Sequence, residues 1–354
     1  MKKGEEMNRK TVSGIMVTLL LVGTLLLAFS IQPVRAVGTI YIRPDGSIDP
    51  PTAPIHRDGD LYTLTDNITC DADGIVIERN NMTLDGGGYW VQGPASYGVF
   101  GIDLSHTRNV TIKNTNIKGF RSGIYSYSSV RNTITRNVLI NNMEFQGAGI
   151  TLKKCEENIV VENDIIENYY GIIVAYVGEN ILYHNNLINN VLQAFSHDNS
   201  VNVWDDGYPS GGNYWSDYEE TYPDAEELDD SGIWDTPYYI DDINQDNYPL
   251  MEPWTPIPPV EDTEAYIEYV NETIQDLQDG IFSRPDEDVP DAKNDFSDLF
   301  DDALENIDEG NYEGAIEKLN TIKMRMYEEI VESDERQEII SLIEDFIEYL
   351  ETLL

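Results

Sequence analysis

The chain has 354 residues, with 65 Asp and Glu against 22 Lys and Arg, 22 Tyr, 26 Gly, two Cys and four His. A formal charge of −43 excludes nucleic-acid binding through a general basic surface, because phosphate contacts draw on Lys and Arg. It makes an anionic membrane surface an equally poor partner. A hydrophobic fraction of 41% still supports real cores, and the length accommodates two or three domains.

Residues 1–36 read as a signal peptide. Lys2, Lys3, Arg9 and Lys10 precede an apolar run from Gly14 to Ile31, and Gln32-Pro33 with Val34-Arg35-Ala36 adds a breaker and a small-x-small cleavage signature. Cleavage after Ala36 is the favoured reading. An uncleaved N-terminal anchor is the alternative, since the run approaches the minimum length for spanning a bilayer. No second run of that length follows, so the rest is expected to be exported, secreted or at the cell surface, with no membrane insertion after cleavage. Asn67, Asn81, Asn109 and Asn271 each open an Asn-x-Thr sequon, which has meaning in an exported chain.

Residues 37–254 are organised by a repeat. The unit Asn-x-(Ile/Val/Leu)-x-x-Asn-x-x-Ile runs through Asn132, Ile134, Asn137 and Ile140, then Asn158, Val160, Asn163 and Ile166, then Asn180, Leu182, Asn185 and Ile188. An earlier copy, with its apolar residue one place later, runs through Asn109, Ile112, Asn114 and Ile117. Gly101-Ile102, Gly123-Ile124, Gly149-Ile150 and Gly171-Ile172 precede the copies, and a degraded one begins at Gly74 and Asn81. Short β-favouring stretches at a period near 22 residues, with no helical periodicity, predict the coils of a parallel β-helix, hence a mainly β fold. Ile102 and Leu104, Ile150 and Leu152, Ile172 and Val174 are expected to face inward. Asn109, Asn114, Asn132, Asn137, Asn158, Asn163, Asn180 and Asn185 are expected to form structural ladders at turns, with Gly taking the left-handed positions.

These repeats resemble the NosD-like, CASH-type group of right-handed, single-stranded parallel β-helices. The likeness extends to Val203-Trp204-Asp205-Asp206-Gly207-Tyr208-Pro209-Ser210-Gly211-Gly212-Asn213-Tyr214-Trp215-Ser216-Asp217-Tyr218 and to Asp246-Asn247-Tyr248-Pro249-Leu250-Met251. Similar segments follow the last coil in exported NosD-like proteins of archaea and bacteria, and Thr39-Ile40-Tyr41-Ile42-Arg43-Pro44-Asp45-Gly46 is typical of the archaeal members. Three or more coils at about 4.8 Å each separate Cys70 from Cys155, beyond the reach of a disulfide, so two free thiols are expected. Cys155, between a strand and a turn, is expected to be accessible.

Thr255-Pro256-Ile257-Pro258-Pro259-Val260 marks a stiff linker over 255–262. Beyond it, over 263–354, the period becomes helical. Ile267, Val270, Ile274 and Leu277 mark one helix, and Phe296, Leu299, Ala303 and Ile307 a second, stopped at Gly280 and Gly310 respectively. Ala315, Leu319, Ile322, Met326 and Ile330 mark a third, and Ile339, Ile343, Phe346 and Leu350 a fourth, together a small bundle. Asp308-Glu309-Gly310-Asn311-Tyr312-Glu313-Gly314-Ala315-Ile316-Glu317-Lys318-Leu319-Asn320 resembles the FIMAH domain, a helical module appended to exported proteins. From residue 261 onward there are 30 acidic and 6 basic residues, a net of −24.

Little of this is a recognisable catalytic centre. Copper, which the NosD resemblance raises, needs clustered His, Cys or Met, whereas His56, His106, His184 and His197 are scattered. Calcium suits the residue types better, with Asp229, Asp230, Asp235, Asp242, Asn244 and Asp246 as candidate ligands in two oxygen-rich loops. No paired carboxylates are evident for glycoside hydrolysis; Asp103 and Asp164 occupy different phases of the repeat. Eleven aromatic residues fall between Trp204 and Trp254. Among them Trp204, Tyr208, Tyr214, Trp215 and Tyr218 are the candidate sugar-stacking set, the alternative being a cap over the end of the β-helix. The sequence reading is therefore a noncatalytic protein that binds carbohydrate or another cell-envelope component. A polysaccharide-degrading enzyme, lyase or glycoside hydrolase, and a purely structural envelope protein are the alternatives.

Overall fold

A computed structural model describes residues 38–354, except 97, 144, 145, 199, 230, 256–259, 261, 262, 278–280, 284–288 and 332. The signal-peptide reading, most of the linker, Asp230 and Gly280 thus lie outside the described residues. The chain forms two compact units, one ending at Trp254 and the other beginning at Thr255.

The first unit is a right-handed parallel β-helix of about six coils, each crossing three sheets. The first sheet stacks Ile40–Ile42, Ile75–Ile77, Phe100–Asp103, Ser122–Tyr127, Ala148–Lys153, Tyr170–Ala175 and Leu192–His197 in parallel. The second stacks Leu61–Leu64, Met82–Asp85, Val110–Lys113, Thr133–Thr135, Ile159–Val161 and Ile181–Tyr183. The third runs from Ile68–Thr69 through Trp90–Gln92, Asn116–Lys118, Val138–Ile140, Asp164–Ile166 and Asn186–Ile188 to Tyr214–Trp215. Register places like on like in the interior: Ile75, Ile102, Ile124, Ile150 and Ile172 in one column, Leu84, Ile112, Ile134, Val160 and Leu182 in another, and Val91, Ile117, Leu139, Ile165 and Leu187 in the third. All fifteen are fully buried. Each such side chain contributes about 2 kcal/mol by leaving water, so the columns are the core.

Three expectations are corrected at the level of single residues. At two corners the left-handed positions are not glycines: they are Asn109, Arg131, Glu157 and Glu179 at one, and Asn114, Arg136, Glu162 and His184 at the other, with φ between 51° and 69°. Arg131 pairs with Glu157 at 2.5 Å and Arg136 with Glu162 at 2.6 Å, so the side chains at these corners brace successive coils. The glycine of each Gly-Ile pair is needed for space instead. A Cβ on Gly101 would lie 2.4 Å from the Gly123 carbonyl oxygen and 2.6 Å from Ile117 Cγ2. Finally, Cys155 is not accessible: it is buried beside Ser129, with its Sγ 3.3 Å from the Ser129 hydroxyl. Both cysteines are free thiols.

After the last coil, a short helix α1 (Tyr218–Thr221) and irregular chain to Trp254 form the C-terminal cap. The second unit contains α2 (Thr263–Asp276), α3 (Val289–Asp308), α4 (Tyr312–Glu329) and α5 (Asp334–Glu351), with α3 packed on α2 and α4, and α5 on α2 and α4. The predicted stripes form its core, except that Leu299 and Ile307 are only half-buried while Phe300 is enclosed. Gly310, at φ 72°, ends α3, and the Asn311 side chain accepts the Gly314 N–H at 3.1 Å to cap α4.

Candidate functional site

The buried Asn ladders run from Asn132, Asn137 and Asn142 through the later coils. Asn163 shows the unit: its Oδ1 accepts the Asn137 N–H at 3.1 Å and Nδ2–H at 3.0 Å. Its own Nδ2 donates at 2.9 Å to the carbonyls of Ile134 and Val161 and to Asn185 Oδ1. The structure strings Asn132, Asn158, Asn180 and Asn202 in one ladder and Asn137, Asn163, Asn185 and Asn213 in a second. A third, unanticipated, joins Asn142, Asn168 and Asn190. Its signal was present, for Asn recurs every five residues in 132–137–142, 158–163–168 and 180–185–190. Asn109 and Asn114 are not in the ladders. The earliest copy is displaced by one, so Val110 and Thr115 donate their N–H groups to Asn132 and Asn137, while Asn109 turns outward to hydrogen-bond Asn81.

Two calcium candidates close these ladders. Asn244 Oδ1 accepts the Asn202 N–H at 2.9 Å and Trp204 Nε1–H at 3.3 Å. Asp246, fully buried, accepts the Asn213 N–H at 2.7 Å and Trp215 Nε1–H at 2.8 Å on one oxygen, and the Tyr248 N–H at 3.1 Å on the other. No further coil offers carbonyls beyond it, so an acceptor-only carboxylate replaces the amide. Asp235 accepts from the Glu226 N–H and Thr236 hydroxyl, and Asp229 and Asp242 lie exposed elsewhere. Among the described residues no three His, Cys, Asp or Glu side chains form a metal-holding group. The described members of the candidate calcium set form no such group.

Most candidate sugar-stacking rings are also committed. Trp204, Trp215 and Tyr218 are buried in the core that closes the last coil. Trp215 stacks on Tyr238 at 4.0 Å and Tyr218 on Trp234 at 4.9 Å, so their faces are covered by other rings. Burial pushes the Tyr218 and Tyr238 hydroxyls well above the usual tyrosine range. Tyr214 is half-buried and Tyr208 is exposed, but neither continues a platform with the other three. These residues form the cap.

Three of the histidines have separate partners. His184 stacks on Trp254 at 3.5 Å with its Nε2 2.8 Å from the Ser210 carbonyl oxygen, and burial lowers its pKa. His106 meets Tyr127 edge-on, and His197 lies beside Phe195 and Asp198. Asp103 and Asp164 belong to different sheets, as their repeat phases imply.

A different face carries partly exposed rings. On the first sheet, the residue after each inward Ile points out, giving the column Val76, Asp103, Tyr125, Thr151, Ile173 and Phe195. Beside it run Phe100, Ser122, Ala148, Tyr170 and Leu192 on one flank and Tyr127, Lys153, Ala175 and His197 on the other. Phe100 stacks on Tyr125 at 4.1 Å. Farther along the axis, Tyr170 meets Phe195 at 5.5 Å, Phe195 meets His197 at 6.0 Å and His197 meets Tyr176 at 6.0 Å. Phe195 and Tyr176 are 40% and 47% exposed, which leaves ring surface for a ligand. Neither the repeat unit nor the aromatic-rich 204–254 segment points to this face, because its residues differ from coil to coil.

Residues 54–220 match the model of the family described as periplasmic copper-binding protein (NosD), so the β-helix is NosD-like. A periplasmic family accords with export. The match ends before most of the cap and before the helical unit. No curated protein and no solved structure matches the chain.

Proposed function

We propose that this is an exported, noncatalytic β-helix protein that binds glycan chains on the outer face of its first sheet. The observation that carries the reading is the outward run of rings from Phe100 and Tyr125 to Tyr170, Phe195, His197 and Tyr176 on one continuous parallel sheet. Flat, half-exposed rings at intervals set by the coil spacing offer stacking surfaces for successive sugars, and Asp103 stands among them to accept from hydroxyls. The copper binding in the family's description is not carried over, since the histidines above are engaged one by one rather than converging. Within the same reading, the signal peptide delivers the chain out of the cytoplasm and a FIMAH-like helical unit accompanies the β-helix.

Affinity electrophoresis through gels containing neutral polysaccharides tests the reading. Wild-type protein should be retarded by at least one polysaccharide, and Tyr170→Ala with Phe195→Ala should abolish the retardation without changing the far-UV spectrum. Mobility of the double variant equal to wild type in every gel that retards the latter would refute the assignment to this face.

A further inference from the structure

The first sheet's outer face carries charge as well as rings. Of the eleven Lys and Arg of the β-helix, five hold carboxylates: Arg43 pairs with Asp49 and Glu78, Arg79 with Asp60, Lys113 with Asp85, Arg131 with Glu157 and Arg136 with Glu162. Lys153 and Lys154 differ. Among the described residues neither forms an ion pair with a carboxylate; Lys154 Nζ sits 5.3 Å over the Tyr127 ring, and Lys153 lies outward in the column between Tyr127 and Ala175. Burial lowers the Lys153 pKa, and the neighbouring Arg121 guanidinium adds to the effect.

Their place in the fold matters. Phe100, Tyr125 and Tyr127 lie on the coils before Lys153, and Tyr170, Phe195 and His197 on the coils after it, while the residues level with Lys153 on that face are the small Ala148 and Thr151. Two ring clusters are thus separated by one coil whose Ala148 and Thr151 are buried and whose Lys153 and Lys154 reach solvent. A carboxylate on a sugar spanning that coil would meet Lys153 and Lys154 while its neighbours stack on rings to either side. Asp73 and Asp103 lie toward the other end of the same face, where they would repel a second carboxylate.

Resting on the glycan-binding reading, we infer that the coil bearing Lys153 and Lys154 is a subsite for an acidic sugar, so that the preferred ligand is a uronic-acid-containing glycan. The probe is an oligogalacturonate, compared by isothermal titration with the same oligomer after reduction of its carboxyl groups to neutral alcohols. The acidic oligomer should bind about tenfold more tightly, and the preference should fall as salt is raised. Lys153→Gln with Lys154→Gln should remove the preference and leave the affinity for the neutral oligomer unchanged. Equal binding of both oligomers, or a preference that survives the double substitution, overturns the acidic subsite and leaves the glycan face standing. Binding of neither oligomer overturns the subsite, and the gel experiment then decides separately on the face.

Discussion

Asp246 offers the sharpest test of how the β-helix is closed. Its carboxyl is fully buried, and burial pushes its pKa from 3.8 up to about 7 against the pull of the Asn213, Trp215 and Tyr248 N–H donors. A carboxyl whose folded pKa is raised favours the folded state below its unfolded pKa, and that stability is lost as pH rises through the folded value. At about 1.4 kcal/mol per unit the full loss is about 4 kcal/mol, of which roughly 2.5 kcal/mol falls between pH 5 and pH 8. Asp246→Asn cannot titrate, but its NH2 group confronts one of the three donors, which costs about 1–3 kcal/mol at every pH. The variant should therefore melt below wild type at pH 5, and the gap should close or reverse at pH 8. For a unit of this size the change in the gap corresponds to roughly 5–10 °C. Thermal melts of both proteins at both pH values, followed by far-UV dichroism, give the comparison; taking the difference cancels His184 and every other titrating group. A gap equal at the two pH values would refute the account of Asp246 as a protonatable ladder terminus.

Asn163→Ala should cost roughly 3–5 kcal/mol, because it strands the Asn137 N–H and two carbonyls inside the coil, whereas Asn109→Ala should cost only about 1 kcal/mol, from its left-handed backbone; urea midpoints separate the two. Gly101→Ala forces a methyl against the Gly123 carbonyl and Ile117 and should destabilise by roughly 3 kcal/mol, read as a fall in the same midpoint. Cys70, whose thiol burial pushes up to about 12, and the enclosed Cys155 should react with a disulfide reagent only after denaturation; rapid labelling of either in the native protein would contradict their burial.

The architecture was legible because a repeat reports stacking directly. Whatever recurs at 22 or 26 residues must sit on its own copy, so Ile124, Ile150 and Ile172 could be assigned to the interior from spacing alone. The helices were legible for a related reason, since Ile339, Ile343, Phe346 and Leu350 show one apolar face. Phase was harder. Asn109 fits the motif by residue type yet lies one position before the ladder, and only the late apolar residue of that copy, Ile112, hinted at the slip. Asn244 and Asp246 were read as cation ligands because a single sequence shows oxygen-bearing side chains without showing the N–H groups they face. Trp204 and Trp215 were similarly ambiguous, since an aromatic that stacks on sugar and one that closes a core look alike until their neighbours are known.

That ambiguity gives a criterion for where function resides in this fold. Stacking constrains the inward columns to near-identity, and it equally constrains the ladder Asn and the Gly of each Gly-Ile pair. On the first sheet's outer face the same register runs Val76, Asp103, Tyr125, Thr151, Ile173, Phe195, six residues of six types in one column. Coil stacking does not ask for that variety, and a solvated face would be met more cheaply by the Asp and Glu that dominate this chain. The helical unit, with its net −24, follows the solvated pattern; this face departs from it. Rings held half-exposed in a strongly acidic protein retain an unfavourable contact with water that a bound ligand would relieve. The large rings of the cap are spent on its core, since Trp204, Trp215 and Tyr218 are buried and Trp215 and Tyr238 cover one another.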